Sequence, residues 1–377
     1  MKAAAPANID VLIVDDSAVV RQLFSSVLGA AGFRVHTASD PLVAMAKMGR
    51  HRPNVILLDL EMPRMDGLTF LKQLMATDPL PVVVCSGFAG PGTQLAVRAL
   101  AAGAVDIFPK PRTGWFGDPG STEAHGLLDV VRAAAQARVG QARAPRTLTL
   151  PIVKAAGAAT PDRSPPRRAM TGAHRVSNDL LIAIGASTGG TEAIREILRA
   201  MPEDSPGIVI VQHMPVGFTA AFAEHLNQTC KIEVREAVDG DRIVRGVALV
   251  ARGDRHLLIK RHAFELVAEL SDAPPVSRHR PSVNVLFHSV ASVAGPAALG
   301  VILTGMGDDG ADGLLAMRKA GASTIAQDEN TSVVFGMPKE AIDRGAVEVV
   351  LPLSRIAAGI LQRVPTPAPQ GQSARHR

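Results

Sequence analysis

The sequence predicts two α/β domains, each built on a largely parallel sheet, joined by a basic linker. Three observations lead there. Short apolar runs alternate with helical stretches in both halves of the chain, the pattern of strand–helix–strand units. From about Gly140 the text becomes QARAPRTLTLPIVKAAGAATPDRSPPRRAMTGAHR, rich in Ala, Pro and Arg and without a sustained period. The length, 377 residues, suits two or three domains. The expected division is 1–125, a linker at 126–175, a second domain at 176–363 and a tail at 364–377. A short helix at about 122–139 is expected to precede the Ala/Pro/Arg stretch.

In the first domain the strand-like runs are IDVLIVD (9–15), FRVHTA (33–38), NVILLDL (54–60), PVVVCS (81–86) and AVDIF (104–108). Five such units fit a flavodoxin-like sheet of order 2-1-3-4-5, which sets strands 1 and 3 side by side. In the second domain LLIAIGA, GIVIVQH, IEVREAV, GVALVAR, LGVILTG, STIAQD and VEVVLPL suggest a larger, doubly wound sheet. The runs GVALVARGDRHLLIKR and FELVAEL are expected to form an antiparallel hairpin edge.

Composition excludes several function classes. No apolar run approaches the roughly 18 residues of a membrane span, and no apolar h-region precedes the first strand, so no signal peptide is expected. Two cysteines, Cys85 and Cys230, cannot make a disulfide framework, and a cytoplasmic location follows as the expectation. The net charge of +5 is local: residues 132–175 hold nine Lys/Arg against Asp162 alone, or +8, which leaves −3 for the rest. With 11 Phe, one Trp and no Tyr, base-stacking surfaces are scarce as well, so no nucleic-acid partner is expected.

Asp15 and Asp16 end strand 1 and Asp59 ends strand 3, so the sheet order gathers three carboxylates at its switch point. Such a cluster invites a hard cation, and oxygen ligands with room for water suit Mg²⁺. Ser86 ends strand 4 and Lys110 ends strand 5, supplying a hydroxyl and an ammonium for phosphoryl transfer to Asp59. The plainer alternative is a helix cap at Asp16 or Ser17 and an ordinary Asp59–Lys110 ion pair. The domain resembles the receiver domains of bacterial response regulators through DDS (15–17), LLDLEMPRMDG (57–67), CSG (85–87) and PKP (109–111). The resemblance implies Asp59 as phosphoacceptor. It further implies Asp16, Asp59 and the Glu61 carbonyl as Mg²⁺ ligands with Asp15 behind them, and Ser86 and Lys110 as phosphoryl contacts. Receivers commonly carry a switch aromatic three residues before the lysine; here that residue is Ile107.

In the second domain Leu180–Ala186 runs into Ser187-Thr188-Gly189-Gly190 and then a helix, and Gly185–Gly189 reads G-x-S-x-G. Such a turn presents a serine hydroxyl beside free N–H groups. A phosphate-binding loop and a simple capped helix entry remain open from the loop alone. His213 ends the strand GIVIVQ, and Met306-Gly307-Asp308-Asp309 follows VILTG, so serine, histidine and acid can meet above parallel strand ends. The order Ser187, His213, Asp309 disfavours an ordinary α/β-hydrolase, which runs Ser, Asp/Glu, His.

The whole second domain resembles the catalytic domain of chemotaxis protein-glutamate methylesterases. The matches are AIGASTGG (183–190), VQHMP (211–215), GDRHL (253–257), RPSVNVLFHSV (280–290), LTGMGDDG (303–310) and IAQDENTSVVFGMP (325–338). This implies Ser187 as nucleophile, His213 as general base and Asp309 as its orienter, with oxyanion support near Met306 and Thr188. It also implies phosphorylation-activated hydrolysis of glutamate γ-methyl esters on chemoreceptors, deamidation of receptor glutamines in some members, and a sensor histidine kinase as phosphodonor. Ester hydrolysis itself would need no cofactor, and the membrane would be met only through receptors. Asn284 and Arg252 depart from the family's usual Asp and Pro. Rival readings are a response regulator with a binding output through the basic linker, and a nucleotide-binding domain using GASTGG.

Overall fold

The structure is a computed structural model that describes residues 9–87, 91–110, 121–140 and 180–364. Pro111, the linker from 141, the expected domain edge at 176–179 and the tail from 365 lie outside the described residues.

The first sheet contains β1 (Asp10–Val14), β2 (Arg34–Ala38), β3 (Val55–Asp59), β4 (Val82–Ser86) and β5 (Asp106–Pro109). All neighbours are parallel and the order is β2-β1-β3-β4-β5, as the sequence predicts. Strands β1, β3 and β4 are buried throughout because helices cover both faces. Alternate residues therefore enter different cores. Val11 and Ile13 pack with Phe24 of α1 (Ala18–Ala30) and with Leu127 and Val131 of α5 (Thr122–Ala135). Leu12 and Val14 join Ala44 of α2 (Pro41–Met48), Leu71 of α3 (Gly67–Thr77) and Val97 of α4 (Pro91–Ala101). The expected boundary at 125 is corrected by α5: Ala124, Leu127, Val131 and Ala134 cover one face of this sheet, so the helix belongs to the first domain.

The second sheet has seven strands: β6 (Leu181–Ala186), β7 (Ile208–Gln212), β8 (Glu233–Glu236), β9 (Val247–Val250), β12 (Ala298–Ile302), β13 (Ser323–Gln327) and β14 (Val349–Leu351). Its order is β14-β13-β12-β6-β7-β9-β8 and every pair is parallel. The expected hairpin edge is corrected here. GVALV is β9, inside the parallel sheet, whereas β10 (His256–His262) and β11 (Glu265–Ser271) form a separate two-stranded sheet. Leu257 and Ile259 of that hairpin are buried against Leu286 and Phe287 of α8 (Val283–Ala294). Its apolar side thus packs on a helix and never joins the sheet edge.

The remaining helices are α6 (Gly190–Arg199), α7 (Phe218–Asn227), α9 (Ala311–Lys319), α10 (Met337–Asp343) and α11 (Leu353–Leu361). Helices α6, α7 and α11 cover one face of the large sheet and α8, α9 and α10 the other. No helix among the described residues is long and apolar enough to cross a membrane. Cys85 and Cys230 are both free.

The two domains touch. Helix α4 packs against α6 and α7, with Val97, Leu100 and Ala101 facing Thr191 and Phe222 around a small cavity. Arg138, just past α5, pairs with Glu329 at 2.8 Å, and Asp129 of α5 pairs with Arg278 at 2.8 Å.

Candidate active site

Three adjacent strands, β12, β6 and β7, deliver the predicted residues of the second domain. Ser187 follows β6, His213 follows β7, and Met306–Asp309 lie beyond β12. Strand ends neighbouring one another in a parallel sheet are where such sheets place ligands.

The serine sits on a strand–turn–helix corner. Its own φ is not left-handed; the left-handed residue is Gly189, at φ 77°. A Cβ there would lie 2.5 Å from Val333 Cβ, so both conformation and space require glycine. Gly305 allows the LTGMG loop to approach: a Cβ at 305 would lie 2.7 Å from Ser187 Cβ. Gln212 fastens the corner from beneath, its Nε2 donating to the Ser187 carbonyl at 2.9 Å and to the His213 carbonyl at 3.2 Å.

His213 and Asp309 form the second and third members. His213 Nε2 lies 2.8 Å from Asp309 Oδ2 and both side chains are buried. The carboxylate fixes the tautomer: Nε2 carries the proton, and Nδ1 keeps its lone pair. Nδ1 is buried and has no hydrogen-bond partner among the described residues.

Asp309 is held at the start of α8. Its carboxylate accepts from Ser282 Oγ at 2.7 Å, Val283 N at 2.6 Å and Asn284 N at 3.1 Å, besides His213. Burial alone would raise its pKa. The His213 bond and charge, then the Ser282 and Val283 donors, outweigh burial and hold the carboxyl below its ordinary range. Asp308 points elsewhere: it is exposed and paired with Arg344 at 2.6 Å.

Behind this shell lies support that residue-level reading did not find. The Nδ1 of buried His256 accepts from Ser282 N at 3.2 Å, while its Nε2 faces the Pro274 carbonyl at 3.0 Å. His256 therefore sets Ser282, which caps α8 and grips Asp309. Both residues lie in matched motifs, GDRHL and RPSVNVLFHSV, yet nothing in those motifs reveals the contact. Asn284, the departure from the family's Asp, accepts from Gly313 N at 2.8 Å and ties α8 to α9. An aspartate could accept the same bond. Arg252, the other departure, is exposed.

The oxyanion candidates separate. Ser187 N donates to the Thr304 carbonyl at 3.0 Å and Gly190 N to the Ser187 carbonyl at 2.7 Å. Gly189 N is taken by the carbonyl of Val105, a first-domain residue, at 3.1 Å. The hydroxyl of Thr188 donates across the same boundary to Asp106 Oδ2 at 2.6 Å. The backbone N–H groups of Thr188 and Met306 are the candidates that remain. Ser187 is 9% exposed beneath these contacts.

In the first domain Asp15, Asp16 and Asp59 bring carboxylate oxygens within 4.8 Å of one another. Lys110 Nζ lies 2.7 Å from Asp59 and 3.2 Å from Asp15. Burial pushes the Asp15 carboxyl up; Lys110 opposes this and the Asp59 charge adds to it. Burial works against the Lys110 ammonium, but the Asp59 hydrogen bond and both carboxylates hold its pKa above the ordinary range. Three crowded acids facing one ammonium fit a hard divalent cation. The Glu61 amide donates to Asp59 Oδ1 at 3.1 Å, and buried Ser86 donates to the Gly92 carbonyl at 2.9 Å. Gly67 closes the site from behind, since a Cβ there would lie 2.1 Å from the Asp59 carbonyl oxygen. Ile107 is buried, and the neighbouring Phe108 meets Phe24 edge-on at 6.0 Å inside the core. Neither side chain is a free aromatic flag.

Residues 182–360 match the CheB methylesterase family and residues 11–114 the response regulator receiver domain. A protein-glutamate methylesterase/protein-glutamine glutaminase of Anaeromyxobacter dehalogenans is 60% identical over 352 residues, covering 93% of this chain and 98% of that one. Another, of Xanthomonas axonopodis pv. citri, is 50% identical over 358 residues, covering 94% and 100%. The crystal structure of the Thermotoga maritima CheB methylesterase catalytic domain is 36% identical, covers 49% of this chain and 99% of its own, and superposes with a TM-score of 0.49. The chain thus belongs to the protein-glutamate methylesterase/protein-glutamine glutaminase family, with a receiver domain in front of its CheB methylesterase domain.

Proposed function

We propose that this chain hydrolyses glutamate γ-methyl esters on chemoreceptors, and deamidates receptor glutamines, through Ser187, His213 and Asp309. The observation that carries this reading is the His213–Asp309 pair set on adjoining strand ends with the Ser187 turn. Nδ1 of His213 takes the serine proton as Oγ attacks the side-chain carbonyl, and Asp309 stabilises the imidazolium. The imidazolium then gives that proton to the departing methoxide, or to the amide nitrogen of a glutamine. Water hydrolyses the acyl-enzyme with His213 again as base. The Thr188 and Met306 N–H groups would hold the oxyanion, a contribution of several kcal/mol in such sites.

Regulation follows from the contact between domains. With Val105 and Asp106 on the two residues after the proposed nucleophile, the docked receiver would obstruct the approach of a receptor helix. Asp59 is the proposed phosphoacceptor, and Asp16, Asp59 and the Glu61 carbonyl would hold Mg²⁺ with Asp15 behind them. The cation would draw charge from the incoming phosphoryl group, while Ser86 and Lys110 would contact its oxygens. Phosphate there shifts the population toward undocked chains. The test is methanol release from methylated receptor membranes with and without a small-molecule phosphodonor. Activation of roughly 5–150-fold is expected from a coupling of ordinary size. Asp59→Asn should show the unphosphorylated rate under both conditions, and chelating Mg²⁺ should do the same to the parent.

The docking contact carries its own pH dependence. Burial pushes the Asp106 carboxyl up to about 6, against the lowering effect of the Thr188 and Ile107 donors and of His213. A carboxyl that holds its proton more tightly when docked favours docking at low pH. Docking therefore strengthens as pH falls through about 6 and weakens above it. The ratio of phosphorylated to unphosphorylated rate is expected to be larger near about pH 5 than near about pH 8. Asp106→Ala should raise the unphosphorylated rate and flatten that ratio across the range. An unchanged basal rate in this variant would show that the contact restrains nothing.

A further inference from the structure

His279 lies face to face with the catalytic imidazole, at a centroid separation of 3.7 Å and an interplanar angle of 8°. The residue is delivered by a tight turn. Val276 and His279 exchange both backbone hydrogen bonds, at 2.9 and 3.1 Å, and the two residues between them are left-handed, Ser277 at φ 50° and Arg278 at φ 67°. Neither is glycine, so the turn holds a conformation that costs such residues energy. Strain of this kind persists where the surroundings fix it, and what this turn places is one imidazole on another.

We propose that His279 is a positioning residue for His213, holding the ring plane in which Nδ1 addresses Ser187 and favouring the protonated ring formed in the transition state. This rests on the assignment of His213 as base. Two observations support it. Asp309 anchors only the Nε2 edge of the ring, and Nδ1 has no partner among the described residues, so rotation about that single bond is restrained by what covers the ring faces. The nearly eclipsed stack is also unfavourable between two neutral rings, whose quadrupoles oppose. A neutral ring over a cation is attractive. Burial first, then the charges of His213 and Arg278, push the His279 pKa down to about 3 against the pull of Asp309, so His279 is the neutral partner. The stack is thus matched to imidazolium at 213.

The test uses the full chain with phosphodonor and two readouts: methanol release, and the rate at which a serine-directed fluorophosphonate labels Ser187, followed by mass spectrometry. His279→Ala is expected to lower kcat about 10–100-fold with KM unchanged, the scale of a misaligned catalytic group, and to slow labelling by the same factor. His279→Phe restores a flat neutral ring and should recover both rates to within about threefold of the parent. If His279→Ala matches the parent in both readouts, or changes KM alone, the inference falls. It also falls if His279→Phe is as slow as His279→Gln, a comparison that decides the matter should the alanine variant fail to fold. Absence of labelling at Ser187 in the parent would instead overturn the nucleophile assignment on which the inference rests.

Discussion

Ser187→Ala is expected to abolish methanol release while phosphorylation of Asp59 proceeds at the parent rate. The Ser187 hydroxyl, on the β6–α6 corner, is the group proposed to form the acyl-enzyme. In serine hydrolases loss of the nucleophile alone costs on the order of 10⁶ in kcat. The receiver site is built from β1, β3, β4 and β5, which share no strand with the esterase sheet, so its chemistry should not register the change. Gas-chromatographic detection of methanol, alongside radiolabelled phosphodonor incorporation, measures the two separately. Turnover within about tenfold of the parent would mean that another group attacks the ester.

The second large effect separates two neighbouring acids. Asp309→Asn should lower kcat by about 10⁴, the loss seen when a triad acid becomes an amide. The four donors around Asp309 explain the severity. An amide turned toward them must set its own N–H₂ against Val283 N–H, Asn284 N–H or His213. Facing His213 with N–H₂ forces the other tautomer and places a proton on Nδ1, where the base lone pair is needed. Asp308→Asn loses only an exposed ion pair with Arg344, which keeps Asp312 at 2.6 Å, so turnover within about threefold is expected. Steady-state kinetics on both variants, with thermal melts to confirm folding, ranks them; the reverse ranking would reassign the triad acid.

Much of this was legible because parallel sheets write their strands as continuous apolar runs. All seven strands of the esterase sheet and all five of the receiver stand at the apolar runs picked out in the sequence. The placement of Ser187, His213, Asp309 and the acids at 15, 16 and 59 was readable for a related reason: each ends or follows a strand, and parallel strands end together. What stayed hidden was support across distance. His256 reaches Ser282 through a hydrogen bond between its ring and a backbone amide 26 residues away, and no spacing rule encodes that. The hairpin was misplaced because β9 and β10 are joined by the short GDRH turn. That turn is tight since Gly253 lies against Val216, where a Cβ would come within 2.7 Å of its Cα. The contrast in surroundings, with Asp309 at the Ser282 helix cap and Asp308 on Arg344, was equally hidden. The seat of the receiver required knowing that residues 105 and 106 meet 188 and 189, a pairing of separate domains that neither domain's own pattern contains.

The carbonyl of Val105 on the amide of Gly189 has a genetic consequence. A backbone oxygen is present whatever side chain stands at 105, so no allele at that codon deletes the contact while the strand persists. Its donor, Gly189, tolerates no Cβ beside Val333. Mutations at 189 should therefore score as null esterases, not as deregulated ones. A random screen for constitutively active alleles should thus gather at Asp106 and the α4–α7 contact and stay nearly silent at 105 and 189. Silence at those two codons would mark a contact that side-chain substitution cannot report.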